Sequence, residues 1–450
     1  MYLADGRPAP ATSVSPGGRR TGRSRRVRAA VPSTVLILGA VSLITDISSE
    51  MVTAVLPLYL VAELGLSPLG FGVLDGVYNG VSALVRLVGG RLSDRGGGAG
   101  HKTVAAVGYG LSALCKPLLL LVHSLPLIGA VLAVDRTGKG LRTAPRDAMI
   151  SLAAEPAARG RAFGVHRAMD TAGALCGPLV AFVLLRAAAE GYDAVFTVSF
   201  CVAVLGVVVL LLFVPGRALP GTEDTAGRTS AGPRTPAEPR TPAQPRTPVR
   251  ALLGRPEIRR LTGCAVLLGL TTVSDSFLYL TLQRRLDLPA GWFPLLPLGT
   301  AAAFLSLAVP MGAIADRIGR RRLFLAGHLV LLCAYGLLLA PFGGGAALVC
   351  AVLVLHGAFY AATDGVLAAA TADAVPEDAR GSGLAVVQTG QTAARFVCSL
   401  TFGAAWTAWG DHTAVLAAAV GLALAAALSA RLLRPAGPAA GPNSPSEHTS

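Results

Sequence analysis

Apolar runs recur along the whole chain, and each has about the length of a membrane-spanning helix. Such a helix needs about 20 mainly apolar residues to cross a hydrocarbon layer about 30 Å thick. Six runs of this kind precede a polar central segment and six follow it. The pattern therefore predicts helices over residues 33–62, 69–91, 103–122, 125–148, 161–187, 193–214, 257–284, 290–315, 322–341, 345–372, 381–408 and 412–434.

The segments between and beyond the helices divide the chain into five parts. Residues 1–32 form a basic tail, and the linker 215–256 repeats Pro-Arg-Thr-Pro, a composition typical of an extended, solvated spacer. Binding of a proline-recognising partner is the alternative role for this linker. The bundles on either side cover 33–214 and 257–434, and the low-complexity residues 435–450 are predicted to be disordered.

Composition supports a membrane protein. Only 14% of the residues are charged and 53% are hydrophobic, whereas about a quarter of the residues in a soluble domain are charged. The net charge of +14 is concentrated in the N-terminal tail, the linker and alternate short loops. That distribution is typical of cytoplasmic loops, and no aromatic-rich basic domain indicates nucleic-acid binding. We expect a monomeric, multi-pass protein of the plasma membrane with both termini in the cytoplasm.

The sequence offers no chemistry for an enzyme or an ATP-driven pump. It has no Gly-x-x-x-x-Gly-Lys-Ser/Thr nucleotide loop, no His-x-x-x-His pair in the helices and no Gly-x-Ser-x-Gly elbow. Its seven cysteines form no Cys-x-x-Cys pair. We therefore predict no enzyme activity, no cofactor and no metal site, and an ion gradient as the energy source.

One loop motif occurs in both halves. Gly90-Arg-Leu-Ser-Asp94-Arg95 matches Gly312-Ala-Ile-Ala-Asp316-Arg317, and the second copy continues to Arg320. A carboxylate of this kind is stabilised when it meets the N-terminus of a helix. Two copies at equal depth predict an all-α membrane protein of twelve transmembrane helices, in two six-helix bundles related by pseudo-two-fold symmetry.

The segment from Gly312 to Arg322 resembles the signature loop of the major facilitator superfamily. In the fifth helix, Gly173-x-x-x-Gly177-Pro178 is similar to a motif of the drug–proton antiporter branch of that superfamily. The resemblance implies that Asp94 meets the start of the eleventh helix and Asp316 the start of the fifth, holding an outward-facing state. We assign gating to these motifs, whose residues are Gly90, Asp94, Arg95, Gly173, Gly177, Pro178, Gly312, Asp316, Arg317 and Arg320.

Charged residues inside the helices are costly in a bilayer, so they indicate function. Asp46 and Glu50 share a polar stripe of the first helix, while the fourth helix carries a cationic face that ends near Pro145, which should kink or end it. We predict that Asp46, Glu50, Arg136 and Asp170 couple transport to protons, with Arg136 controlling Asp46 or meeting an anionic substrate group. A permanent salt bridge is the alternative for either acid. Arg142, Arg146 and Asp147 are assigned to a cytoplasmic gating network.

Further polar stripes predict a central cavity between the halves. Its predicted lining residues, each of which could alternatively be structural, are Asn79, Arg86, Asp275, Tyr279, Tyr360, Gln388, Gln391 and Arg395. The favoured hypothesis is a secondary transporter that exports small organic molecules in exchange for protons, with the lipid bilayer, substrate and protons as its partners. The alternative is a proton-coupled uptake symporter for a nutrient or metabolite.

Overall fold

The computed structural model describes residues 31–93, 98–155, 158–189, 191–215, 254–341, 345–375 and 380–433, and within these ranges it contains helices and no strand. The basic tail, most of the linker and the C-terminal tail lie outside the described residues. The α-helices are α1 Ser33–Leu58, α2 Pro68–Ser93, α3 Gly98–Leu121, α4 Leu125–Ala153, α5 Arg159–Ala187, α6 Gly191–Phe213, α7 Pro256–Gly269, α8 Asp275–Leu286, α9 Leu295–Ile318, α10 Arg320–Leu339, α11 Ala346–Thr363, α12 Val366–Asp373 and α13 Arg380–Leu432.

These helices make twelve spans, which confirms the predicted fold. Two spans are interrupted: α7 and α8 are separated by residues 270–274, and α11 and α12 by Asp364 and Gly365. Conversely, α13 supplies two spans because it bends at Gly410, whose φ of 83° suits a residue without a Cβ atom. The hydropathy pattern did not show the two interruptions.

Helix α4 is longer than the sequence predicts. It continues through Pro145 and ends at Ala153, five residues beyond the predicted end at 148. Proline removes one backbone hydrogen bond from a helix interior, and neighbouring helices in a membrane protein can tolerate this. Pro145 therefore does not end the helix, and the midpoint of α4 lies at Lys139 rather than near Arg136.

Each half is a compact bundle in which small residues allow close packing. Helix α1 packs on α5 and α6, α2 and α3 pack on α4, and in the second half α11 packs on α9 and α10. A Cβ atom added at Gly173 would lie 2.5 Å from the carbonyl oxygen of Leu43, and one at Gly177 would lie 2.9 Å from that of Ile47. Both glycines therefore hold α5 against α1, as small residues do in membrane bundles. Pro178 lies inside α5, which continues to Ala187.

The two halves meet closely where α1 leads into α2. A Cβ atom at Gly72 would lie 2.5 Å from the Ser399 carbonyl oxygen, and one at Gly403 would lie 2.5 Å from the Pro68 oxygen. An aromatic cluster seals the same end, formed by Phe71, Phe277, Phe402 and Trp406. We call this the closed end.

The opposite end, where α9 leads into α10, is open. Asp316 and Arg317 are exposed there, and neither has a polar partner among the described residues. Arg320 instead binds Asp373 at 2.5 Å and so ties α10 to α12, while Gly312 has nothing within 4 Å of its would-be Cβ atom. Gly90 lies in α2, and Asp94 and Arg95 lie outside the described residues. The resemblance implies that Asp94 meets the start of the eleventh helix and Asp316 the start of the fifth. These contacts would close this end, so they stay predictions for a state in which this end is closed.

Candidate transport pathway

Helices α1 and α4 run antiparallel and are joined by a ladder of polar contacts. Glu50 Oε1 lies 3.2 Å from Lys139 Nζ, and Asp46 Oδ1 lies 3.2 Å from Arg142 Nη2. One turn further, Arg146 Nη1 donates to Ser42 Oγ at 3.2 Å. The acids and hydroxyl repeat every four residues on α1, so they share one face and meet the cationic face of α4. We call these three contacts the α1–α4 ladder.

The prediction that Arg136 controls Asp46 is wrong, because Arg142 holds that carboxylate. Arg136 instead binds its neighbour Asp135 at 2.6 Å, and its guanidinium lies 4.0 Å from the centre of the Tyr78 ring. Antiparallel packing sets Asp46 opposite Arg142, and Arg136, which lies earlier on α4, is nearer the closed end.

Arg146 joins the ladder to α5. It lies 3.2 Å from Asp147 and 3.3 Å from Asp170, and His166 completes the group through a hydrogen bond of 3.0 Å to Ser42. Asp170 is thus connected to the ladder through one arginine. The two residues assigned to gating, Arg142 and Arg146, therefore contact the acids assigned to proton coupling.

A second cluster, buried behind the ladder, was not predicted. Asp135 accepts hydrogen bonds from Ser112 at 2.5 Å and from Lys116 at 2.9 Å, in addition to its ion pair with Arg136. The Lys116 side chain is only 3% exposed. A lysine inside the apolar run Ala-Leu-Cys-Lys-Pro-Leu-Leu was the signal in the sequence, because an unpaired ammonium group would not be stable there.

Exposure distinguishes the two acids of the ladder. The side chains of Glu50 and Lys139 are 26% and 34% exposed, whereas those of Asp46 and Arg142 are 12% and 4% exposed. Water can therefore reach the Glu50 pair, and Asp46 lies deeper in the bundle.

In the second half, Asp275 begins α8 directly after the interruption in the seventh span. Tyr360 donates a hydrogen bond to it at 2.5 Å, and Nε2 of the buried His356 lies 3.4 Å from the same oxygen. The Asp275 side chain is 44% exposed. Both contacting residues come from α11, so Asp275 joins the seventh and tenth spans.

An open cavity of about 90 Å³ lies between α11, α12 and α13. Four of the predicted lining residues border it, namely Tyr360, Gln388, Gln391 and Arg395. Tyr279 does not: it is buried and packs edge-on against His356, because the interruption before Asp275 turns that face of α8 inward. Asn79 is exposed on α2 and bonds the Asp75 carbonyl at 2.9 Å, and the Arg86 side chain lies outside the described residues.

Comparison with known proteins decides the family. The sequence profile of the Major Facilitator Superfamily matches residues 38–309 and 290–449. The chain belongs to the Major Facilitator Superfamily. It is accordingly a multi-pass membrane transporter and not an enzyme.

Relatives and solved structures agree with this assignment. An uncharacterized MFS-type transporter of Methanocaldococcus jannaschii is 27% identical over 378 residues, 83% of this chain and 88% of the relative. An uncharacterized protein of Mycobacterium tuberculosis is 35% identical over 158 residues, 35% of this chain and 38% of that protein. The structure of the nucleoside transporter NupG has a TM-score of 0.70 at 12% identity, covering 90% of this chain and all of NupG. A bacterial homologue of the lysosomal transporter Spinster has a TM-score of 0.68 at 14% identity, covering 89% and 96%. These likenesses show the fold alone.

Superfamily members move one half against the other, so contacts across the closed end bear on the transport cycle. Asp75 of α2 is buried there and accepts a hydrogen bond of 2.7 Å from Ser399 of α13. Ser399 also lies 3.1 Å from the Gly72 carbonyl oxygen. The polar stripe of the second helix includes Asp75, but its partner in the other half could not be identified without the tertiary packing.

Replacing Ser399 by alanine is expected to loosen the closed end. A buried carboxylate that loses a hydrogen bond costs about 1–3 kcal/mol, which corresponds to a shift of about tenfold in the balance between closed and open forms. Spin labels at the exposed positions Glu63 and Ala290, one in each half, measure the distance between the halves at this end. In Ser399→Ala, the population with the longer distance between the labels should increase.

The matched control is Thr401→Ala, because the exposed Thr401 bonds only carbonyl groups of its own helix, at 3.0 and 3.1 Å. We expect its distance distribution to equal that of the wild type. Equal distributions for Ser399→Ala and Thr401→Ala would show that the Asp75–Ser399 contact does not hold the closed end.

Proposed function

We propose that this transporter couples movement of a small organic solute to protons, and that Asp46 and Glu50 carry them. The observation that supports this proposal is the α1–α4 ladder, in which each acid faces a cation from another helix. A carboxylate held in this way can exist in two states, paired when ionised and released when protonated. Such two-state groups are what a proton-coupled transporter requires.

Charge balance in the first half gives the coupling its physical basis. The described ion pairs of this half join five cations to five carboxylates: Lys116, Arg136, Lys139, Arg142 and Arg146 face Glu50, Asp46, Asp135, Asp147 and Asp170. Protonation of one acid leaves a positive charge without its partner in a medium of low dielectric constant, which is costly. A change of conformation or the arrival of a solute can relieve that cost, so binding of the proton and of the solute are linked.

We propose export as the direction, with protons entering as the solute leaves. Support comes from the resemblance of Gly173-x-x-x-Gly177-Pro178 to the drug–proton antiporter motif and from its position. A Cβ atom at Gly177 would lie 2.7 Å from the Cβ atom of Glu50, so the motif packs directly behind the exposed acid of the ladder. A bulkier residue at Gly177 would displace that acid.

We further propose that the open end faces the cytoplasm, together with both termini, in the plasma membrane. Arg317, Arg320, Arg321 and Arg322 cluster at the open end, as positive residues do on cytoplasmic faces. Arg186, Arg284 and Arg285 are the exceptions at the closed end. Arg285 donates to the carbonyl oxygens at the C-terminus of α10, including Leu337 at 2.7 Å, so its charge stabilises a helix end. On this orientation the structure is an inward-facing state.

Everted membrane vesicles test the coupling and the direction together. In vesicles acidified inside by respiration, an exporter should exchange luminal protons for added solute, so a pH-sensitive dye should report alkalinisation when a panel of polar solutes is added. Vesicles without the transporter should show no response. A symporter would not release luminal protons on addition of external solute, so solute accumulation without alkalinisation would contradict the proposal.

A further inference from the structure

The cavity of the second half contains two opposite charges that are not paired with each other. Arg395 of α13 and Asp364, at the junction of α11 and α12, both border it. No hydrogen bond or ion pair joins the side chain of either residue to another side chain in the part of the chain described, and Nε of Arg395 is buried without a hydrogen-bond partner. A buried guanidinium nitrogen without a partner is costly, and a bound hydrogen-bond acceptor would relieve that cost.

The first half cannot supply this recognition. Among its described residues, the charges of the α1–α4 ladder and of the cluster around Asp135 are already paired at 2.6–3.3 Å, and Asp75 is hydrogen-bonded to Ser399. Asp275 forms no described ion pair or hydrogen bond with Arg395, and its carboxylate contacts Tyr360 and His356 instead. The charges available to a solute in the described residues of the cavity are therefore Arg395 and Asp364.

The junction at Asp364 has the form of a binding site in a transporter. Gly365 has a φ of 75°, which breaks the span between Thr363 and Val366. The first turn of α12 borders the cavity through Leu367 and Ala368, and the N–H groups of a first turn have no acceptor inside their own helix. Discontinuous helices with such ends mark substrate sites near the middle of the bilayer.

The remaining lining residues indicate a polar solute. Besides the two charges, the cavity is bordered by Tyr360, Thr363, Thr371, Gln388 and Gln391. Amide and hydroxyl groups of this kind orient hydrogen-bonding ligands, whereas a lipophilic compound would leave them unpaired.

We infer that this cavity binds a small zwitterion, with its carboxylate on Arg395 and its ammonium group on Asp364. The inference rests on the proposed function only in taking the cavity as part of the transport route. It narrows the substrate class from small organic molecules to amino-acid-like solutes.

Binding to the purified full-length transporter at pH 7 tests the inference. The probes are glycine, β-alanine, 4-aminobutanoate and 6-aminohexanoate, which vary the spacing of the two charges, together with butanoate and butan-1-amine, which carry one charge each. Calorimetry should show that the best zwitterion binds about tenfold or more tightly than either singly charged compound, because hydrogen bonds to charged groups each contribute that much.

Two variants test which residue binds the carboxylate of the zwitterion and which binds its ammonium group. Arg321→Gln, at an exposed position outside the cavity, is the control. Asp364→Asn should reduce zwitterion affinity to that of butanoate and leave butanoate unchanged, and Arg395→Gln should weaken both. Equal affinity for zwitterion and butanoate, no binding of any probe, or no effect of Asp364→Asn would overturn the inference.

The result of this binding experiment can be distinguished from the result of the vesicle experiment that tests the proposed function. Binding in detergent at one pH needs no proton gradient, so a zwitterion that binds tightly but moves no protons in vesicles would contradict only the coupling. Proton exchange driven by other solutes, without zwitterion binding, would contradict only the substrate class.

Discussion

Replacing Asp135 by asparagine is expected to prevent stable folding of the transporter. This carboxylate is the ion-pair partner of both Lys116 and Arg136, and the three side chains are 8%, 3% and 7% exposed. Removing it leaves two buried cations without an anion, and the loss of one partner of a buried pair costs about 3–5 kcal/mol. We expect the purified variant to aggregate on size-exclusion chromatography or to unfold at a much lower temperature.

An exposed ion pair supplies the control. Asp373 binds Arg320 with side chains that are 65% and 36% exposed, so Asp373→Asn should cost less than about 1 kcal/mol. The double variant Lys116→Met/Asp135→Asn should recover part of the stability, because it removes one of the two unpaired cations. Equal stability of Asp135→Asn and Asp373→Asn would show that the buried cluster is not structural.

Replacing Asp46 by asparagine is expected to abolish accumulation of solute against its gradient while leaving exchange intact. Asparagine resembles the protonated carboxyl group in shape, so Arg142 keeps a hydrogen-bond acceptor within reach of its present 3.2 Å contact. The variant can neither take up nor release a proton, and each pH unit supplies about 1.4 kcal/mol that it cannot use. In proteoliposomes, labelled solute should still exchange across the membrane at equal concentrations but should not concentrate under a pH gradient.

The control for Asp46→Asn is Asp287→Asn at the end of α8. Asp287 is exposed and has a φ of 46°, a conformation that asparagine adopts readily. This variant should accumulate solute at the wild-type rate. Full accumulation by Asp46→Asn as well would remove Asp46 from the coupling mechanism and leave Glu50 as the candidate.

The sequence was sufficient for the fold because spanning helices depend on length and hydropathy. Every predicted span corresponds to a helix, to two consecutive helices, or to one part of the bent helix α13. The interruptions at 270–274 and at Asp364–Gly365 were not predicted, since neither lowers hydropathy enough to divide an apolar run. Such breaks depend on local backbone geometry, which a window of about 20 residues averages away.

The candidate site was predictable in composition but not in pairing. The polar stripe of α1 and the cationic face of α4 were both visible, but the sequence does not show which cation lies opposite which acid. Asp46 meets Arg142 and not Arg136, because the register of two packed helices depends on their tertiary contacts. Contacts between the halves, such as Asp75 with Ser399, depend on tertiary packing and leave no spacing in the sequence.

The central claim is that the two acids of α1 carry the coupled proton. Its most direct test is proton movement out of proteoliposomes that contain a pH-sensitive dye, measured as solute is added outside to the wild type and to Asp46→Asn/Glu50→Gln. The account predicts solute-dependent proton flux in the wild type and none in the double variant, while solute exchange continues in both. Proton flux at the wild-type rate in the double variant would contradict it.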